Sequence, residues 1–462
     1  MRIDTSLTAS QLVGPIDRLF ELAARKVRLV DRTWDVSKGT PVFTVEGKYT
    51  TRGWTEWTQG FQYGCAILAF DATSERELLE LGRSRTLGRM APHVSHVGVH
   101  DHGFNNLSTY GNLRRLMREG KVPHDEWELA FYEMALKASG AVQAARFKPV
   151  LEPPPPLGYV YSFNGPHSLF IDTMRTVRVL GVAHQLGHVL MGENDQKVNL
   201  LGRSIVHGLT TDQFLVFHGG SGHAFDVRGR TAHEGTFNQN DGRFRSRATQ
   251  QGYSPFSTWT RGLAWAMLGF AEELEFVATL GDVEVELAST WPKQYVLDRY
   301  GRAARDTCEH WIEDVTAADG VPYWDDGAPG LAKMPGWRDE PAEPFNLYEP
   351  VDSSAAAIAA QGLLRFGCYL GDDGARYTQA GLTVARTLLA TPYLSEREEH
   401  QGLLLHSVYH RPNGWDHVPA GRKVPCGESS MWGDYHLLEL ALLIRRLAGG
   451  GYFTFFDAPG QM

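Results

Sequence analysis

The sequence predicts an all-α fold. Apolar residues recur at helical spacing in segments of similar length, at 8–31, 74–90, 123–147, 167–191, 293–316, 351–370, 374–391 and 428–448. Strands and helices scarcely alternate, which excludes TIM-barrel and Rossmann architectures. Many helices without a heptad repeat indicate paired helices in a closed ring or in a solenoid, and the pattern alone does not choose between them.

The composition is that of a globular protein, with 462 residues, 42% hydrophobic and 21% charged residues and a formal net charge of −9. No dense Lys/Arg run is present, so we expect no nucleic-acid partner. The four cysteines lack C-x-x-C spacing, which fits a reducing compartment. No apolar run reaches the roughly 18 residues of a membrane helix. We expect a cytoplasmic protein without a membrane partner, as a monomer or weak homo-oligomer.

The helical periodicity is interrupted between residues 221 and 249. The segments GHAFDV and TAHEGTFNQNDGRFRSRAT alternate in polarity, and Asn240-Asp241-Gly242 is a hairpin turn signal. A small β-hairpin is therefore predicted among the loops in this region.

The stretch QGYSPFSTWTRGLAWAMLGFA, from Gln251 to Ala271, reads as a loop followed by a helix with an N-cap at Ser257 or Thr258. Trp259 offers a plate on which a sugar ring can stack. Arg261 offers a guanidinium that can hold a carboxylate with two hydrogen bonds, and Gln251 lies just upstream. The alternative interpretation is a buried Trp beside an exposed Arg at a helix start.

Two aspartates have unusual surroundings. Asp101 lies in HDHGF, on a loop between two histidines, and Asp172 lies in the apolar run LFIDTM. Burial of a carboxyl group raises its pKa and suits it to donate a proton, so we expect a raised pKa for Asp172. The alternatives are an Asx-turn for Asp101 and a structural carboxylate for Asp172.

The histidines raise the question of a metal site. His93, His96, His100 and His102 lie close together in the sequence, and a further pair lies four residues apart at His184 and His188. Neither group has the carboxylate partner of a HExxH motif, so we expect no metal and no cofactor. The sequence also contains no G-x-S-x-G elbow and no phosphate-binding loop.

An ordered set of motifs extends through most of the chain. Its members are WTQGF (57–61), HDHGF (100–104), FIDTM (170–174), QGYSPFSTWTRGLAW (251–265), DSSAAAIAAQGLL (352–364), GLLLH (402–406) and WGDYHLLELAL (432–442). The set resembles the unsaturated glucuronyl hydrolases of glycoside hydrolase family 88 and, more loosely, the unsaturated rhamnogalacturonyl hydrolases. The resemblance implies one (α/α)6-barrel catalytic domain over residues 1–462, with the site where the helix-connecting loops gather.

The resemblance also implies a reaction on oligosaccharides that polysaccharide lyases leave behind, whose terminal sugar is a 4,5-unsaturated uronic acid. An aspartic acid protonates C4 of the vinyl ether, water adds at C5, and the resulting hemiketal opens. This differs from the usual two-carboxylate glycosidase scheme.

The motifs imply roles for particular residues. Asp172 is expected to be the general acid and base, and Asp101 the second catalytic aspartate. The residues expected to contact the substrate are Trp57, His100, His233, Gln251, Trp259 and Arg261.

The chain departs from the family pattern at several places. Gln62 and Gln250 stand where many relatives have Trp and His, and Tyr161 or Phe163 is expected to take the place of a further Trp. Residues 193–232 look like an insertion, and the aromatic tail 449–462 is expected to pack on the barrel.

Two other functions fit the same sequence. A sugar isomerase or epimerase on the same barrel is suggested by the many histidines, and it predicts a histidine pair facing the cavity. A non-catalytic glycan-binding barrel would bind unsaturated oligosaccharides without consuming them.

Overall fold

The computed structural model describes residues 1–52, 56–152 and 156–457, and this part of the chain is mostly helical. The α-helices, numbered α1 to α16 in chain order, are Val13–Thr33, Gln59–Thr73, Arg76–Arg89, Ala91–Val94, His102–Asn106, Asn112–Arg118, Glu126–Ala145, Thr173–Thr176, Arg178–Gln185, Leu200–Phe214, Thr260–Thr279, Asp282–Ser289, Lys293–His310, Ser353–Leu370, Ala375–Leu388 and Met431–Ala448. The segments Leu107–Gly111 and Trp311–Val315 are π-helical.

Short strands lie between the helices. In chain order, β1 to β9 are Phe43–Val45, Lys48–Thr50, Phe147–Val150, Leu157–Val160, Ser168–Phe170, Val189–Met191, Lys197–Asn199, Glu234–Phe237 and Phe244–Ala248. Pairing is antiparallel in the hairpins β1-β2, β3-β4 and β6-β7 and in the three-stranded sheet β5-β8-β9.

The predicted β-hairpin is present as β8 and β9, joined through Asn240-Asp241-Gly242. The preceding segment GHAFDV forms turns rather than a strand. The continuous helix predicted over 167–191 is wrong at both ends, because it begins with β5 and ends with β6. Strand β5 pairs with β8 over Ser168–Phe170. Because Asp172 follows β5 by two residues, this pairing fixes its position.

The most deeply buried helices pack side by side. Helix α2 contacts α16, α16 contacts α14, and α14 contacts α11; from α11 the contacts pass to α8, then to α5 and back to α2. Helix α14 is buried all round from Ser353 to Gly367, as expected of a core helix, and its alanines allow close packing. A second set, α1, α15, α13, α10, α7 and α3, packs on the first.

The first turns of the deeply buried helices meet at one end of the molecule. Asp101 and Asp172 are the N-cap residues of α5 and α8, and the Asp352 side chain accepts hydrogen bonds from the first turn of α14. The first turn of α16 reaches the same place, since the Trp432 ring stacks on Trp57 with centroids 5.0 Å apart. The sequence thus brings together motifs that lie far apart in the chain.

The segment 193–232 contains the buried helix α10, which packs against α9, α12 and α13. This helix carries buried polar residues, including His207, Thr210 and Asp212, and they obscured its helical pattern in the sequence. Helix α10 is part of the helical core, and the insertion expected over 193–232 stays a prediction.

The C-terminal tail packs on the helices at the end away from the first turns of α11 and α14. Arg365 donates to the Phe453 carbonyl oxygen at 3.0 Å, Phe455 is buried, and Asp457 binds Arg114 at 2.7 Å. The predicted packing of the tail is confirmed for residues up to Asp457, and 458–462 lie outside the described residues.

We expect that a chain ending at Gly449 is less stable than the full chain by about 3 kcal/mol or more. The truncation exposes the surface under Phe453 and Phe455 and removes Asp457, the partner of the buried Arg114. Thermal unfolding followed by circular dichroism measures the difference. The variant F453L, which keeps an apolar side chain, should lose much less; equal melting temperatures for the truncated and full chains would contradict the account.

No helix among the described residues is both long and apolar enough to cross a lipid bilayer.

Candidate active site

A cavity of about 240 Å³ opens where the first turns of the deeply buried helices meet. Its walls are mostly aromatic and amide side chains. The lining residues are Trp57, His100, Asp101, Phe104, Phe163, Asn164, Asp172, Gln250, Gln251, Trp259, Arg261, Trp265, Tyr409, His410, Asn413 and Trp415. Seven of the eight residues predicted for the site line it, and His233 does not.

His100 lies between the two predicted catalytic aspartates. Its Nε2 is 3.1 Å from Asp172 Oδ1 and 3.9 Å from Asp101 Oδ1. The backbone N–H of Phe163 donates to His100 Nδ1 at 3.3 Å, so in the neutral ring Nε2 carries the proton and donates to Asp172. The three side chains form one buried polar cluster at the cavity wall, in which His100 is hydrogen-bonded to Asp172 and within ion-pair distance of Asp101.

The pKa values of the two aspartates are shifted in opposite directions. Burial and the charge of Asp172 raise the pKa of Asp101, although His100 opposes the shift. Burial also acts to raise the pKa of Asp172, but the hydrogen bond and charge of His100, with His233 and Arg261, outweigh it and lower that pKa. The prediction of a raised pKa for Asp172 is therefore wrong.

The pKa of His100 is raised as well. Burial lowers it, but the charge of Asp101 and the hydrogen bond to Asp172 together have the larger effect. A second proton on the ring would bind Nδ1, and the only hydrogen bond lost would be the long one, 3.3 Å, that Nδ1 accepts from the Phe163 N–H. The cluster consequently retains a proton to higher pH than a free carboxyl group does, and it titrates as a unit.

Trp259 is itself the N-cap of α11, rather than Ser257 or Thr258. The backbone at Trp259 bridges to Asp325, and Thr258 N–H donates to the Asp326 carboxylate at 2.6 Å. These contacts with a distant loop move the helix start beyond the residues that local capping preferences favour.

Arg261 is almost fully buried, and both terminal nitrogens already donate to protein acceptors. Nη1 binds Asp352 Oδ2 at 3.0 Å and the Val408 carbonyl, and Nη2 binds Gln251 Oε1 at 2.9 Å and the Tyr409 carbonyl at 2.7 Å. The two-bond grip on a substrate carboxylate, expected from the sequence, is thus not available in this structure. Arg261 orients Gln251 and contributes positive charge to the cavity.

His233 lies behind the wall, packed against Phe170 and Trp259 with ring centroids 4.5 and 4.8 Å apart. Its Nδ1 accepts the backbone N–H of Gln250 at 3.0 Å, and burial lowers its pKa to about 4. The ring does not line the cavity, so the structure does not show the expected contact between His233 and the sugar. The residue supports the loop that carries Gln251.

Trp57 forms an aromatic wall, as predicted. Its ring stacks on Trp432 and packs against Phe61 and Phe104, both with centroids 5.9 Å away. An aromatic face held this firmly suits stacking against the apolar face of a sugar ring.

The sequence interpretation missed the loop that carries Tyr409, His410, Asn413 and Trp415. The backbone N–H groups of Tyr409 and His410 donate to the buried carboxylate of Asp416, whose pKa burial raises to about 6. The signal was present in YHRPNGW, where a Pro-Asn-Gly turn is flanked by aromatic residues.

The departures from the family pattern fall into two groups. Gln250 and Phe163 line the cavity, whereas Gln62 and Tyr161 do not. Tyr161 lies instead beneath the guanidinium of Arg146, 4.1 Å from the ring centroid. Phe163 is therefore the aromatic side chain that lines this side of the cavity.

Positive charge in the cavity comes from few sources. Among the described residues that line it, Arg261 is the only Arg or Lys. The N-termini of the longer helices α11, α14 and α16 add partial positive charge nearby, which favours an anion.

No group of three His, Cys, Asp or Glu among the described residues is placed to hold a metal ion. Of the sequence cluster, His93 bonds Gln59 and His102 bonds Ser139.

The chain is similar to characterised enzymes over almost its whole length. It is 26% identical to the unsaturated glucuronyl hydrolase of Bacillus sp. (strain GL1), over 96% of this chain and 98% of that protein. It is 24% identical to the unsaturated chondroitin disaccharide hydrolase of Streptococcus pyogenes serotype M1, over 92% of this chain and 90% of that protein. The chain thus resembles the unsaturated glucuronyl hydrolases.

The fold agrees with this resemblance. The structure of a heparin-specific unsaturated glucuronyl hydrolase superposes with a TM-score of 0.68 at 18% identity, covering 93% of this chain and 96% of that one. No family model matches the chain. The resemblance that the ordered motifs predicted is confirmed.

Proposed function

We propose that this protein is a glycoside hydrolase that removes the terminal 4,5-unsaturated uronic acid from oligosaccharides by hydrating its double bond. The observation that carries the proposal is the cluster of Asp101, His100 and Asp172 at the wall of an aromatic cavity. The similarity of the chain to an unsaturated glucuronyl hydrolase and to an unsaturated chondroitin disaccharide hydrolase supports this reaction class. We further propose that the helix contacts described above are those of a single (α/α)6-barrel catalytic domain.

In the proposed mechanism, Asp172 donates a proton to C4 of the double bond. The electron pair of the double bond forms the new C4–H bond, and the cation left at C5 is stabilised by the ring oxygen. The proton reaches Asp172 from Nε2 of the doubly protonated His100 ring, 3.1 Å away, and the ring is left neutral with its remaining proton on Nδ1. A uronate bound close to Asp172 adds a negative charge, which raises the pKa of Asp172 and favours this transfer.

Water then adds to C5, and Asp172, now ionised, accepts a proton from it. The product is a hemiketal. It opens by breaking the bond between C5 and the ring oxygen, so that C5 becomes a ketone and C1 a hemiacetal. The hemiacetal releases the shortened saccharide as an alcohol and leaves an aldehyde at C1. Asp101 assists through its negative charge, which raises the pKa of His100 and so favours the doubly protonated ring.

The recognition of the uronate is shared between several side chains. Arg261 holds Gln251 Oε1, so the Gln251 Nε2 group, which has no hydrogen-bond partner among the described residues, is free to donate to a carboxylate in the cavity. Trp57 and Trp259 supply flat surfaces beside it. We propose that the carboxylate is held by Gln251 and the positive field of Arg261 rather than by a direct two-bond pair.

A substrate panel tests the proposal. Unsaturated disaccharides made by lyases from glycosaminoglycans, gellan and pectin should lose the ultraviolet absorbance of the conjugated double bond, and at least one should do so at enzymatic rates. The pectin-derived member distinguishes a rhamnogalacturonyl hydrolase. Absorbance that persists with every substrate would overturn the proposal, and binding without consumption would indicate a glycan-binding protein.

The isomerase alternative is less well supported than the hydrolase. It predicted a histidine pair facing the cavity; His100 and His410 both line it, but so do the two predicted aspartates, and His100 is hydrogen-bonded to one of them, Asp172. The His184–His188 pair lies elsewhere, with His184 Nε2 bonded to Glu284 at 2.8 Å.

We expect the kcat/KM of the enzyme to fall as the pH rises through an apparent pKa above 6.5. Activity requires the proton shared by His100 and its two aspartates, and the raised pKa values of His100 and Asp101 mean that this proton is bound below that pKa and lost above it. Replacing Asp101 by Asn removes a charge that raises the His100 pKa, so the alkaline limb of the residual activity should move to lower pH. A flat profile between about pH 6 and pH 9 would contradict this assignment.

A further inference from the structure

Glu234, on strand β8, is a buried carboxylate close to the cavity that the mechanism above does not use. It is 3% exposed. Its Oε1 accepts hydrogen bonds from Asn164 Nδ2 at 2.8 Å and from Ser168 Oγ at 2.6 Å, and its Oε2 lies 3.5 Å from Gln250 Nε2. Asn164 and Gln250 both line the cavity, so one buried group contacts two side chains of its wall.

The contacts of Glu234 determine how the two amides are turned. A carboxylate oxygen accepts hydrogen bonds, so the NH2 groups of Asn164 and Gln250 face Glu234. Their carbonyl oxygens, Asn164 Oδ1 and Gln250 Oε1, accept no hydrogen bond from any described residue. This part of the wall therefore presents acceptors to a ligand.

The position of these amides indicates which part of a substrate they meet. Asn164 is exposed and Gln250 half-buried, so they lie towards the mouth of the cavity, whereas Asp101 and Asp172 are buried. A saccharide whose terminal uronate reaches the aspartates places its next sugar near the mouth. The hydroxyl groups of that sugar are donors that match the amide oxygens.

We propose that Glu234 is a positioning residue that turns Asn164 and Gln250 so that the mouth of the cavity selects a sugar with free hydroxyl groups over its sulfated counterpart. The inference rests on the proposed function and specifies its substrate class. The oxygens of a sulfate ester can only accept hydrogen bonds, so they cannot pair with the amide oxygens of Asn164 and Gln250. The ester also brings negative charge towards the buried Glu234 carboxylate. Arg261, the one Arg or Lys among the described lining residues, is already bound to Asp352, Gln251 and two carbonyl groups.

The test compares kcat/KM for an unsulfated unsaturated disaccharide with that for its isomers sulfated on the second sugar. Wild-type enzyme should prefer the unsulfated substrate by about tenfold or more. The variant E234Q keeps the size of the side chain but removes the charge and presents an NH2 group. This change allows an amide of the wall to turn its own NH2 group towards the ligand.

In E234Q the preference should fall by about fivefold or more against at least one sulfated isomer. The change should appear mainly in KM, because Glu234 does not contact the reacting atoms. The matched control is S168A, which removes another donor to Glu234 and leaves both amides in place, so its preference should equal that of wild type.

The outcomes separate the inference from the proposed function. If the wild-type enzyme consumes no unsaturated saccharide, the proposed function is wrong, and the inference that depends on it is wrong as well. Active wild type that prefers a sulfated substrate, or an E234Q preference equal to that of wild type, overturns the inference alone. Should E234Q fail to fold, N164A removes one exposed acceptor and should raise KM for the unsulfated substrate but not for the sulfated isomers; equal effects on both would also overturn it.

Discussion

Replacing Asp172 by Asn should lower kcat by about 10³-fold or more, because the amide cannot give a proton to C4 or take one from water. The side chain is buried at the cavity wall and hydrogen-bonded to His100 at 3.1 Å, so the isosteric change leaves its packing intact. Loss of ultraviolet absorbance measures kcat, and calorimetry with the same disaccharide should show that binding is retained.

The matched control for this variant is D306N. Asp306 is also buried and bonded to a histidine, His218, at 2.7 Å, but it does not line the cavity. D306N should be less stable than wild type while the folded enzyme keeps its kcat. If D172N retained more than about a tenth of wild-type activity, Asp172 would not be the acid.

Replacing Arg175 by Met should lower the free energy of unfolding by about 3–5 kcal/mol at neutral pH. Arg175 is fully buried between Glu439, whose Oε2 is 2.8 Å from Nη2, and Glu272. Removing the guanidinium leaves buried carboxylates with only Arg178 and Arg365 nearby. Denaturant unfolding followed by tryptophan fluorescence measures the loss.

The pH dependence of this loss has a definite sign. Burial raises the pKa of Glu439, but Arg175 and Arg178 outweigh burial and hold that pKa at about 2. A depressed pKa in the folded state stabilises the protein above the pKa of the unfolded chain, about 4.3, and this contribution disappears as the pH falls through 2. The deficit of R175M should therefore be complete near pH 7 and shrink in acid.

An exposed ion pair provides the comparison for R175M. Arg376 contacts Glu309 at 3.0 Å and Glu313 at 2.9 Å, with 45% of its side chain exposed. Surface pairs contribute about 1 kcal/mol or less, so R376M should be nearly as stable as wild type. Equal losses for R175M and R376M would contradict the account of the buried cluster.

The helical elements could be predicted where apolar periodicity is strong. Helix α14 was expected over 351–370 and lies at Ser353–Leu370, because its alanines and Asp352 cap mark it clearly. Helix α10 could not be predicted in this way, since polar residues such as His207 and Asp212 are buried within it. Partners such as Arg299, which binds Asp212 from helix α13, lie far away in the chain and are invisible in a local pattern.

The members of the site were easier to predict than their interactions. Sequence motifs identified Asp101, Asp172 and Trp57, all of which line the cavity. The guanidinium of Arg261 is occupied partly by the carbonyl groups of Val408 and Tyr409. These residues are nearly 150 positions away in the chain, and no spacing rule indicates them. The lowered pKa of Asp172 likewise depends on His100, which tertiary packing brings to it.

The protonation of C4 is the central step, and proton NMR of the reaction in D2O tests it most directly. We expect one deuteron to appear at C4, on a single face, as the double bond disappears and the shortened saccharide is released. Release of a free uronic acid whose double bond is intact would show that the glycosidic oxygen is protonated instead, and it would contradict the assignment of Asp172 as the acid that acts on C4.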